Sequence, residues 1–322
     1  MTNQWPLIIL FCCVVVCSPT SAKEGVRSMN PEIHYWTNNP DPAFPLSLSI
    51  ANNGMATLTV GTNSDNPEFG SVGVFCRKLE KHEMDDLITS LQSREFIGLQ
   101  NPKSTLPGTP IRRLSIKEPG RDEVSRWISM ENPNQPLFIS LETKTLVLVD
   151  LVRQRPIYSL SLKMSYMPVQ IERGKPTEFT MSLINNGSET IQFPHPENWS
   201  RSVLQLRLNG LRSDVPLENL QEYHQKTEDL FRKHIINIKG PKVTRPLITL
   251  SAMSPLLFSF RINLDWPPGQ YDVQISLITP LLDQKGKKLL DCKLISRTFS
   301  IKIVGKSKPG DEPEDLEEKE ET

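Results

Sequence analysis

The side chains with chemistry to offer are few and scattered along the chain. Five histidines (His34, His82, His195, His224, His234) occur in 322 residues. None stands in a paired motif such as His-Glu-x-x-His, so no helix face brings two imidazoles and a carboxylate together for zinc. His224 and His234 would lie about 280° apart around a helix, on different faces. Glu83, Asp85 and Asp86 form a carboxylate cluster, but Met84, Leu87, Ile88 and Leu91 lay an apolar stripe through the same stretch. The acids therefore read as the solvated side of a helix and not as a general acid–base pair. No Gly-x-Ser-x-Gly elbow, glycine-rich phosphate loop or dinucleotide fingerprint is present, and no spacing of Asp, Asn and Gly makes a calcium loop. The expectation is no catalytic residue, no metal and no cofactor.

Compartment and partner class follow from the termini and the charge. Residues 1–22 read as a secretory signal: a polar start at Thr2, Asn3 and Gln4, an apolar stretch from Trp5 to Cys17, and small residues at Thr20 and Ala22 that predict cleavage after Ala22. The apolar stretch is about 13 residues, short of the roughly 20 that a spanning helix needs, so a secreted or periplasmic protein without membrane insertion of the mature chain is expected. Cys12, Cys13 and Cys17 leave with that leader. Cys76 and Cys292 remain, and either a single bridge or two buried thiols satisfies the count. Lys and Arg together number 37 against 37 Asp and Glu, which leaves no basic field to hold nucleic acid. Residues 306–322 hold eight acids and three bases, a composition that predicts a disordered acidic tail.

The elements that must position any site read as β structure. With 27 prolines, 16 glycines and 7% aromatics, the chain favours many strand-ending turns over long helices. Its mature length suits two domains. In the first, 40–155, Leu46, Leu48 and Ile50 alternate with serines, Asn52-Asn53-Gly54 turns the chain, and Thr57, Thr59 and Val60 resume it as a hairpin. A third strand from Val72 to Cys76 precedes a helix over 80–91. Two more strands, Ile111 to Ile116 and Val124 to Met130, are joined through Pro119-Gly120. Over 136–154 a helical stripe of Leu137, Leu141, Thr145, Leu148 and Val152 competes with Leu146-Val147-Leu148-Val149, which alone would suit a strand. The order predicts an α+β layer, a small antiparallel sheet covered by two helices. Ahead of it, His34-Tyr35-Trp36 in a Pro- and Asn-rich stretch reads as a packing anchor, favoured over a contribution to a binding surface because aromatics carry large apolar area.

The second domain, 156–305, alternates more cleanly. Tyr158, Leu160, Leu162, Met164 and Tyr166 share one strand face, and Phe179, Met181 and Leu183 share another. Leu204, Leu206 and Leu208, then Leu256 to Leu264, Tyr271 to Leu277 and finally Phe299, Ile301 and Ile303 repeat the pattern. About seven half-buried strands at short intervals predict an antiparallel β-sandwich. An insertion at 216–235, with Leu217, Leu220, Tyr223, Leu230 and Phe231, has the spacing of an amphipathic helix.

The run Arg173-Gly174-Lys175-Pro176-Thr177-Glu178-Phe179-Thr180-Met181-Ser182-Leu183-Ile184-Asn185-Asn186-Gly187-Ser188-Glu189-Thr190-Ile191-Gln192-Phe193, with Trp266-Pro267-Pro268-Gly269-Gln270-Tyr271-Asp272-Val273, resembles the immunoglobulin-like sandwiches of bacterial envelope proteins. It is similar in particular to the BsuPI-type proteinase-inhibitor domain, over the second half of the chain. The resemblance implies an immunoglobulin-like sandwich and an inhibitory contact, for which a loop must fill a protease cleft. Two stretches offer such loops, Phe193-Pro194-His195-Pro196-Glu197-Asn198-Trp199 and Asp265-Trp266-Pro267-Pro268, whose prolines lower the cost of ordering. Phe193, His195, Trp199, Trp266 and Pro267 are the candidate binding residues. The expected function is a non-enzymatic module that binds another protein. An enzyme with its site between the domains, and a carbohydrate-binding module marked by Trp199 or Trp266, stay open beside it.

Overall fold

The computed structural model describes residues 30–67, 70–131, 135–195, 204–211, 235–239, 242–244, 246–264 and 266–305. The leader, the acidic tail, Trp199 and the helix expected at 216–235 up to residue 234 lie outside them. The first half contains β1 (Glu32–Thr37), β2 (Leu46–Ile50), β3 (Met55–Val60), β4 (Val72–Lys78), α1 (Lys81–Leu91), α2 (Arg94–Gly98), β5 (Ile111–Lys117), β6 (Val124–Ser129) and α3 (Pro136–Arg153). The second contains β7 (Pro156–Tyr166), β8 (Gln170–Glu172), β9 (Pro176–Asn185), β10 (Ile191–Pro194), β11 (Leu204–Leu211), β12 (Ile235–Lys239), β13 (Lys242–Thr244), β14 (Leu247–Leu250), β15 (Pro255–Asn263), β16 (Gly269–Leu282), β17 (Lys288–Ile295) and β18 (Phe299–Val304). This is an α+β layer followed by an immunoglobulin-like antiparallel sandwich.

Local chemistry explains the elements. Gly54, at φ +78°, takes the left-handed position of the β2–β3 turn, while Asn53 Oδ1 accepts the Met55 amide at 2.9 Å. The first turn of α1 is closed by a reciprocal box between Glu80 and Glu83, the latter also paired to Arg77 at 2.7 Å. Pro136 opens α3 at a position where its missing amide costs nothing. The run Leu146 to Val149 stays helical because Leu141, Thr145, Leu148 and Val152 are buried together on one side.

His34-Tyr35-Trp36, read from the sequence as an anchor ahead of the first strand, lies within the strand β1, paired to β2 on one side and β5 on the other. The period-two alternation of Ile33 and Tyr35 with His34 and Trp36 is there, but Pro31 and Asn38-Asn39-Pro40 frame it like a loop. A third, five-residue helix, α2, also goes beyond the two expected.

The strands of both halves join in one ten-stranded sheet, in the order β12-β15-β9-β7-β4-β3-β2-β1-β5-β6. The junction is the antiparallel pair β4–β7. Gly73, at φ +141°, makes it, because a Cβ there would sit 1.9 Å from Tyr158 O. A second sheet, β13-β14-β10-β16-β18-β8 with β11 and β17 on β16, packs on the β12-to-β7 end and closes one core around Phe179, Phe258, Phe260 and Tyr271. The helices pack on the other end and close a second core around Phe75, Phe96 and Phe138. Strand β4 contributes Val72 and Val74 to the first core and Phe75 to the second. Successive strand residues point to opposite faces, so the two covers lie on opposite sides of one sheet.

Candidate functional site

The residues expected to bind through the sandwich loops are mostly turned inward. Phe193 is fully buried and opposite Ile248 in the β10–β14 pair. His195 is 6% exposed, and its amide donates to Pro246 O at 2.9 Å. Trp266 is 4% exposed and tilts at 51° against the Tyr271 ring, with centroids 5.1 Å apart. Pro267, half-buried, accepts the Tyr271 hydroxyl on its carbonyl at 2.7 Å, the tyrosine-corner arrangement of Greek-key sandwiches. These prolines stiffen corners of the core, and the large rings beside them are its filling. That corrects the sequence reading of Phe193, His195 and Trp266 as loop contacts. The structure also does not join Cys76 to Cys292. The Cys76 thiol lies 3.5 Å from Thr57 Oγ1 in the first half, and the Cys292 thiol donates to Thr279 O at 3.0 Å inside the second.

A different surface is left open. Helices cover one face of β3, β2, β1, β5 and β6, and the second sheet covers the opposite face only as far as β4. Among the described residues, that opposite face of the five strands has no layer over it. Residues facing each other across antiparallel strands share a face, so the register gives its rows directly. One row runs Thr59, Ser47, Trp36, Arg113, Trp127 from β3 to β6. The next runs Cys76, Thr57, Ser49, His34, Ser115, Ser125 from β4 to β6. Trp36 and Trp127, half-buried, belong to neither core. They flank the exposed Arg113 at two strand spacings, about 10 Å apart. Arg113 Nε donates to Ser125 Oγ at 2.6 Å, which fixes the direction of the guanidinium.

This face is framed on two sides. The outer edge of β6 is closed by Asn101, whose Oδ1 accepts the Trp127 amide at 3.0 Å and whose Nδ2 donates to Ser125 O at 3.3 Å, as a neighbouring strand would. At the other side, the loops after β1 and β3 grip β17. Asn63 exchanges two bonds with Ile295 (2.8 and 2.7 Å), Lys293 pairs with Asp41, and the Lys293 ammonium stands 5.9 Å from the Phe44 ring centroid. Beneath the face, Tyr35 donates to Glu142 at 2.7 Å and Arg112 pairs with the same carboxylate at 2.7 Å. Burial first, and then the Glu142 charge, push the Tyr35 phenol far above its ordinary value. The cluster is enclosed between sheet and helix, with Tyr35 and Glu142 both buried.

The sequence placed Trp127 on a strand without assigning its face and favoured a packing anchor over a binding surface for Trp36, so the two indoles were not brought together on one face. The signal was the phase of the alternation: Ile33, Tyr35 and Thr37 share one parity, and Glu32, His34 and Trp36 the other. Among the described residues, no group of three or more His, Cys, Asp or Glu could hold a metal ion, and no helix is long and apolar enough to cross a membrane. A shallow pocket of about 200 Å³ lies at the far ends of β1 and β5, lined by Glu32, Asn52, Lys117 and Glu118 among others.

No family model matches the chain, and no curated protein does. Solved structures resemble parts of it. A CARDB domain from Pyrococcus furiosus is 12% identical over 47% of this chain and 91% of its own, with a TM-score of 0.23. A PapD-like domain of human CEP192 is 11% identical over 45% and 85%, with a TM-score of 0.22. A structure from the aggregative adherence fimbriae of enteroaggregative Escherichia coli is 11% identical over 45% and 99%, with a TM-score of 0.25. These likenesses concern backbone shape over less than half of the chain and say nothing of activity.

Proposed function

We propose that the chain is a secreted or periplasmic, non-enzymatic protein-binding module, and that it binds through the open face of the β3-β2-β1-β5-β6 sheet. One observation carries the proposal: the row Trp36, Arg113, Trp127 on a sheet face that no described layer covers. Trp and Arg are the residue types that dominate binding energy when a partner desolvates them. An open sheet face favours a macromolecule over a small substrate, for which sites are concave. The loop residues do not compete for the role, since Phe193, His195 and Trp266 are buried.

The test is capture from the native secretome or envelope on the immobilised mature chain, followed by reconstitution of each retained protein in purified form. The double variant Trp36→Ser, Trp127→Ser is expected to lose at least tenfold in affinity, the usual scale for truncating hot-spot aromatics. Trp199→Ala, in the proline-rich stretch that the inhibitor-like reading uses, is expected to bind like the wild type. The reverse outcome, binding kept by the double variant and lost with Trp199→Ala, would replace the sheet-face reading with the inhibitor-like loop.

A further inference from the structure

We infer that the occupant of the open sheet face is an extended acidic segment of a protein partner. A carboxylate of that segment is seated on Arg113, and apolar side chains lie against Trp36 and Trp127. The inference rests on the binding reading above and adds the chemistry of the partner.

The guanidinium is the first reason. Arg113 is exposed, and its Nε is tied to Ser125 Oγ. Among the described residues, its two Nη groups meet no carboxylate. A guanidinium anchored at Nε presents the opposite pair of N–H donors outward as a fork, the geometry that takes a carboxylate with two parallel bonds. Anchoring at one end also lowers the rotamer entropy that such a contact must overcome.

Charge over the whole face agrees. Lys117 shares it with Arg113 and Lys78 stands at its border, opposite Met55 of β3, whereas the acid among the described strand residues of this face, Glu32, stands directly opposite Lys117 in the β1–β5 register. A partner of complementary charge is acidic.

Size and edge geometry limit the shape of the occupant. Five strands at about 4.8 Å spacing and about 17 Å length give a footprint of about 400 Å², half of the roughly 800 Å² per partner that a standard protein interface uses. A segment fills that space and a whole domain face overruns it. Addition of a strand to β6 is blocked because Asn101 already occupies its Ser125 carbonyl and Trp127 amide. The segment therefore lies over the face, held by side chains, and does not extend the sheet.

The test uses the full mature chain and three defined probes. One is a fluorescent dodecapeptide of alternating glutamate and proline, which is extended and alternates carboxylates with apolar rings; the others are its glutamine-for-glutamate counterpart and hexagalacturonate as an acidic glycan. Anisotropy reports binding, competition with the peptide reports the glycan, and indole emission from Trp36→Phe and Trp127→Phe variants reports where it occurs. Saturable binding of the acidic peptide is expected, at least tenfold weaker for the glutamine peptide and for Arg113→Gln. Arg113→Lys, which keeps the charge and loses the fork, is expected to fall between. Equal binding of the two peptides, or binding indifferent to Arg113→Gln, would overturn the inference. So would preference for hexagalacturonate, or no binding of the acidic peptide at all. Each of these results leaves the dependence of protein capture on Trp36 and Trp127 standing or falling on its own measurement.

Discussion

Cys292 shows what one buried side chain does to the pH response of the fold. It is 0% exposed, and burial, reinforced by the neighbouring Asp291 charge, pushes its thiol up from 9.0 to about 12. A group whose folded value is raised holds its proton in the native state while the unfolded chain gives it up. Its contribution to stability is complete below about pH 9 and is lost as pH rises towards 12. The Tyr35 phenol, raised by burial and by Glu142, acts in the same sense at higher pH. Urea midpoints should therefore fall steadily from pH 9 upward, and Cys292→Ala should start less stable but decline with a shallower slope. Parallel slopes for variant and wild type would contradict this assignment. At the same scale, the site residues were the least legible part of the sequence. An indole on a strand looks alike whether it points inward or outward, and aromatic rings next to prolines suggest a loop. The pattern Phe193-Pro194-His195 and the pair Trp266-Pro267 therefore suggested surface where there is core, and Trp127 gave no sign of the face it is on.

Among the elements, α3 is held by a mixed face. Its buried side is apolar except for Thr145 and Glu142, the latter 5% exposed and bonded to both Tyr35 and Arg112. Removing the cation leaves a carboxylate without its charge partner in a nearly dry site, which costs about 3 kcal/mol or more, whereas removing both charges together costs much less. Urea unfolding should show Arg112→Met strongly destabilised and the double variant Arg112→Met, Glu142→Met recovering a large part of the loss. An equal loss in both would show that the pair does not act as a unit. Elements with long periodic signals were readable: α1 from Met84, Leu87 and Leu91, α3 from its stripe, and β7, β9 and β15 from strict alternation. Those hidden were short or badly framed. β8 and β13 have three residues each, α2 has five, and β1 lies between prolines.

At the scale of the whole molecule, two halves that read as separate in the sequence share one sheet, and no local pattern could have announced it. The join depends on Gly73 meeting Tyr158 across 85 residues of chain, and on Asn63 meeting Ile295 across 232. Because the helices and the second sheet cover opposite ends on opposite faces, the arrangement leaves, among the described residues, an uncovered step beside β17. The row of Trp36, Arg113 and Trp127 lies on that step. Site-specific photo-crosslinking reads out binding through this step. A benzophenone side chain placed at Ser47, next to Trp36 in the row, is compared with one at Lys163 on the outer face of β7, in the native secretome or envelope. Adducts to a single protein partner from position 47, abolished by Arg113→Gln and absent from position 163, are the predicted result. Adducts from position 163 alone, or equally from both positions, would rule out binding through the Trp36–Arg113–Trp127 face.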